Sequence, residues 1–182
     1  MNTLILYTVY MSLNVFMDLK YLITKNYWHL IFFSLSIVLC VIQNKNVLAL
    51  LVIAIVALLI GVLIREKMPL AKFSPGDTKM IVTSSMYLYI LGSLKIHWLL
   101  IPILLHVTVF ILSAVIYGLI VILLFVKKYI FTRTISGYHS FKFLKISIEL
   151  TTEGLKIISM SYRFPAAISI IAGFMSLVLL QW

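Results

Sequence analysis

The chain has 182 residues, 63% of them hydrophobic and only 11% charged, and its mean hydropathy is +1.15. A soluble domain of this size carries about a quarter charged residues, so a water-soluble globule with one core is excluded: too little polar surface exists to cover it. The net charge of +10 comes from 15 Lys and Arg against 5 acids. The bases sit in short gaps between apolar runs, so they mark membrane topology and argue against nucleic acid as a partner.

The apolar runs predict an all-α fold, a polytopic transmembrane helix bundle of about six spans. The first run covers residues 3–17 and stops at Asp18. The first basic residue is Lys20, so no charged region precedes the run, and it reads as a retained span and not as a cleavable signal. The second covers 28–42 and is closed by the polar turn Gln43, Asn44, Lys45, Asn46. The third, 47–64, stops at Arg65, Glu66 and Lys67, and a loop with Pro69, Pro75 and Gly76 leads to the fourth, 80–94. After Lys95, Ile96 and His97 comes a long fifth run, 98–126, which ends at Lys127 and Lys128. The last covers 164–182. Ala57, Gly61, Ser84, Ser85, Ser169 and Gly173 are the small residues expected where helices pack closely.

The whole of 1–182 reads as a single membrane-embedded domain, with 127–162 as its one long extramembrane segment. In that segment Phe141, Leu144, Ile148, Leu155 and Ile158 fall on one helical stripe, and Lys142, Lys145, Glu149, Thr152, Glu153 and Lys156 on the other. This predicts a basic amphipathic helix lying on an anionic cytosolic leaflet. Glu149 and Glu153 would each have a Lys within helical reach.

Charge orients the bundle. On the side holding Asp18 fall Lys20, Lys25, Arg65, Lys67, Lys72, Lys79, Lys127, Lys128, Arg133, Lys142, Lys145, Lys156 and Arg163; the other side has Lys45 and Lys95. That bias predicts the Asp18 side to be cytosolic in the plasma membrane, with both termini outside.

Few residues offer chemistry. A lone Cys40 excludes an internal disulfide framework and a Cys-based zinc site. His29, His97 and His139 are scattered without ligand spacing, and no phosphate loop occurs, so neither metal nor cofactor is expected. His106, within the fifth run, is expected to be neutral and bonded to a neighbouring helix. Glu66, between Arg65 and Lys67, reads as a solvated charge. Asp18 and Asp77 differ from the other acids: an even number of spans separates them, so both fall on one membrane face. Two carboxylates brought together share a proton, so that one activates water while the other donates a hydrogen bond to the carbonyl under attack. The same residues also suit helix ends, since Asp77 after Pro75 and Gly76 resembles an N-cap and Asp18 closes a run.

The stretch Ser74-Pro75-Gly76-Asp77-Thr78-Lys79 resembles the Gly-x-Gly-Asp-x-Lys signature of type IV prepilin peptidases, a family of membrane aspartic proteases. Asp18-Leu19-Lys20 resembles the stretch that follows the family's other catalytic aspartate, and Asn26 falls where the family's Asn is expected. Phe164-Pro165-Ala166-Ala167 with Gly173 is similar to the start of the family's last span. Ser74 stands where the family has its first Gly, and Thr24-Lys25 where it has Ile-Pro. The resemblance implies that Asp18 and Asp77 are catalytic, with Gly76, Lys79, Asn26 and Lys20 supporting them. It also implies that the basic leader of prepilin-like membrane proteins is the substrate. With Cys40 alone, the short form without the family's methyltransferase region is implied. A second class remains open: a non-enzymatic or inactive membrane subunit of a secretion or transport complex.

Overall fold

The computed structural model describes residues 3–21, 24–67, 74–92, 97–132, 136–140, 144–151, 154–162 and 165–179. The apolar runs fold as the helices α1 (Thr3–Tyr21), α2 (Asn26–Ile42), α3 (Val47–Lys67), α4 (Pro75–Leu91), α5 (Ile101–Thr132) and α6 (Ala167–Leu179), with a 3-10 turn at Trp98–Leu100 before α5. Contacts divide the chain into two units, Met1–Leu112 with Pro165–Trp182, and Ser113–Phe164. Helix α5 begins in the first and ends in the second.

In the first unit the side-chain contacts fix the helix directions. Gln43 at the end of α2 donates to Thr3 at the start of α1 at 2.8 Å, and Tyr10 meets His29, so α1 and α2 are antiparallel. Lys79 meets Asn26 and Ser36 meets Met86, so α2 and α4 are parallel. Tyr89 donates to the Asn46 carbonyl, and Gly61 lies against Thr78, so α3 and α4 are antiparallel. Tyr7 stacks on Phe174 with ring centroids 3.5 Å apart while Asp18 meets Ala167, so α6 runs antiparallel to α1. Helix α4 is the hub. Its residues from Met80 to Leu88 are all buried, against α1, α2, α3 and α6. The small residues do the work expected of them: Ala57, Ser84, Ser85 and Ser169 are fully buried, and a Cβ on Gly61 or Gly173 would strike Thr78 or Val109.

The outward faces are apolar. Leu48, Ile55, Leu58, Leu59 and Leu63 on α3, and Val107, Phe110 and Ile111 on α5, are exposed, more apolar surface than water-facing helices carry. Two helical stretches, Val47–Glu66 and Trp98–Tyr129, are long and apolar enough to cross a membrane; α2 and α6 are shorter apolar helices.

The second unit corrects the all-α expectation. The segment read as an amphipathic helix forms β1 (Gly137–Ser140), β2 (Leu144–Thr151) and β3 (Gly154–Tyr162), an antiparallel sheet in the order β1-β2-β3. Leu144 and Ile148 are four apart, a spacing that satisfies a helical stripe and also alternate positions of a strand. Ile146 decides between them. It is 4% exposed, packed with Leu144 and Ile148 against Val121 and Phe125, whereas in a helix it would face away from both. His139 pairs with Ile146 across β1 and β2 and packs edge-on against Phe125 with centroids 5.3 Å apart. Glu149 finds its lysine across the sheet, opposite Lys156, and not one helical turn away. Phe141, Lys142, Thr152 and Glu153 lie outside the described residues, and Ile158 is exposed.

Candidate active site

Asp18 sits in the last turn of α1, and Asp77 in the first turn of α4. Because the two helices are antiparallel, both lie at one end of the first unit. From the Tyr7–Ser84 bond at 2.9 Å, Asp18 lies about 17 Å further along α1 and Asp77 about 11 Å along α4 in the same direction. Both are 6% exposed.

A helix C-terminus is a poor place for an acid, since its carbonyls already carry negative charge. A second helix compensates here. The Ala167 amide, first in α6 and without an intrahelical acceptor, donates to Asp18 Oδ2 at 3.1 Å. The sequence places that amide through Pro165, which cannot continue a helix backwards. Asp77 belongs to a capping box. Ser74 N–H donates to Asp77 Oδ2 at 2.5 Å, Asp77 N–H donates to Ser74 Oγ at 3.2 Å, and Pro75 occupies the first helical turn. Each carboxylate thus faces the positive end of a helix, which favours its charge, while burial opposes it.

The supporting residues divide. Lys79 donates to Asn26 Oδ1 at 2.7 Å, tying α4 to the first residue of α2. Gly76 has no positive φ, but its Cα lies against Thr24 Oγ1, where a Cβ has no room. Lys20 is not drawn in; it is exposed, with its ammonium over the Phe16 and Tyr21 rings at 5.6 and 5.0 Å. Glu66 is exposed as expected. His106 departs from expectation: its Nδ1 bonds the Pro102 carbonyl of its own helix at 2.7 Å.

Sequence reasoning passed over His29. It is 4% exposed, and it bonds Tyr10 Oη through Nδ1 at 2.7 Å and Thr24 Oγ1 through Nε2 at 2.9 Å. The chain Tyr10–His29–Thr24 joins α1 to the start of α2, and Thr24 in turn meets Gly76 of α4. The signal was present: Asn26 and His29 are three apart at the polar start of an apolar helix, hence on one face.

Among the described residues no group of three His, Cys, Asp or Glu could hold a metal ion. The available chemistry is that of two shielded carboxylates beside the Lys79–Asn26 and His29–Thr24 hydrogen bonds. No protein-family profile, no curated protein and no solved structure matches the chain.

Proposed function

We propose that the chain is a multi-pass membrane aspartic endopeptidase, similar to prepilin peptidases, which removes the basic leader of a prepilin-like membrane protein. The observation that carries this reading is the pair of buried acids, Asp18 and Asp77, at one end of the first unit. Brought together on a substrate, the two carboxylates would hold one proton between them, because a second charge at close range raises the cost of ionising both. The ionised member takes a proton from water as the water attacks the scissile carbonyl; the protonated member donates to the carbonyl oxygen, and later a proton passes to the departing amine. Roles within the pair belong to the pair. Lys79 with Asn26, and His29 with Tyr10 and Thr24, tie the start of α2 to α4 and α1. The bundle crosses the plasma membrane about six times with the aspartates on the cytosolic face, where the leader of a substrate helix lying in the bilayer would reach them.

The capping geometry favours a second reading, a non-enzymatic membrane subunit in which Asp18 and Asp77 serve only as helix caps. The substitutions D18N and D77N separate the two. An Asn oxygen still accepts a backbone amide but cannot act as the acid–base pair. The peptidase reading predicts that each variant accumulates, melts within a few degrees of wild type and leaves a co-expressed prepilin uncut. Processing by either variant at the wild-type level would leave the caps as the whole role.

A further inference from the structure

At the end of the first unit opposite the aspartates, an open pocket of about 490 Å³ is lined by Lys45, Tyr89, Gly92, His97 and Trp98, among others. Lys45 stands in the α2–α3 turn. Its ammonium donates to the Tyr89 carbonyl at 3.1 Å and lies 5.7 Å from the Tyr89 ring centroid. Gly92 closes α4 in the left-handed region, φ 63°, and a Cβ there would strike Lys45 Nζ, so the charge rests against bare backbone. Burial pulls the Lys45 ammonium below its ordinary pKa. The acids of this unit, Asp18, Glu66 and Asp77, all belong to its other end. A half-buried cation whose own carboxylates are remote leaves an outside anion as its natural counterpart. His97 adds a donor: its Nδ1 accepts the Leu99 amide at 3.4 Å, which leaves the ring proton on Nε2. Directly after Trp98, α5 and the turn before it expose Leu99, Leu100, Ile103 and Leu104, an apolar wall beside the polar pocket.

We propose that this pocket binds the phosphate of an anionic phospholipid, with Lys45 as ion-pair partner, His97 as second donor, Trp98 at the interface and the α5 wall along an acyl chain. The proposal rests on membrane embedding and not on peptidase activity. The test is native mass spectrometry of the full chain in detergent, titrated with dioleoylphosphatidylglycerol, dioleoylphosphatidylcholine or inorganic phosphate. Wild type should bind the anionic lipid about tenfold more tightly than the zwitterionic one. K45M should abolish that preference, and K45R and D77N should keep it. Should K45M fail to fold, H97N, which retains an acceptor for the Leu99 amide, should still reduce the preference about threefold. Equal binding of the two lipids by wild type would overturn the proposal, as would a preference that survives K45M or, where K45M does not fold, H97N. Displacement of the lipid by an equal concentration of inorganic phosphate would assign the pocket to a free anion and overturn the lipid assignment.

Discussion

At the scale of single residues, the candidate site depends on groups that tie helix ends together as much as on the two acids. His29 spends both ring nitrogens on neutral partners, Tyr10 and Thr24. Replacing it with Ala takes one partner from the buried Tyr10 hydroxyl and frees Thr24. The expected loss is about 1–3 kcal/mol, read as a lower thermal midpoint in detergent, with a further drop in leader cleavage because Thr24 lies against Gly76 in the first turn of α4. G76A tests the same contact from the other side. Its methyl group has no room beside Thr24 Oγ1, so Thr24 must shift, and cleavage and the melting point should both fall while the capping box is kept. That Asp18 and Asp77 share one end was legible from the even number of apolar runs between them, whereas Gly76, Lys79 and Asn26 were drawn in by the family resemblance. His29 shares a face with Asn26, but that spacing names neither of its partners, Tyr10 on α1 and Thr24. The partner of Asp18 was equally hidden: Ala167 is 149 positions away, and no local pattern announces that its amide needs an acceptor.

At the scale of elements, the helices were legible because long apolar runs interrupted by charges leave little else to form. Their ends shifted by a turn. Asp18 lies within α1 and Asp77 within α4, since capping extends a helix past the apolar residues that suggest it. The segment before α6 misled because its apolar residues satisfy two periods at once. Its strand register gives a direct test. Ser147 and Ser159 are Cα partners across β2 and β3, at a separation suited to a disulfide. In a helix they would be about 18 Å apart. The double variant S147C/S159C should cross-link under mild oxidation, seen as the loss of two free thiols by mass; an uncross-linked product would restore the helical reading of this segment.

At the scale of the molecule, the first unit turns a one-dimensional count into geometry. An even number of runs between the two acids predicts a shared face, and the antiparallel packing of α1 and α4 places both acids at one end of the bundle. Burial then gives the arrangement its chemical meaning, because two shielded carboxylates act as one titrating unit or serve as two unrelated caps. The most direct discrimination is the cleavage rate of a synthetic leader-containing peptide by purified wild type, D18N, D77N and the double variant, each first shown to be folded. A proton-sharing pair predicts that both single variants and the double variant fall to the same residual rate, about a thousandfold or more below wild type. A single variant that keeps more than about a tenth of the wild-type rate, or losses that multiply in the double variant as for independent sites, would contradict it.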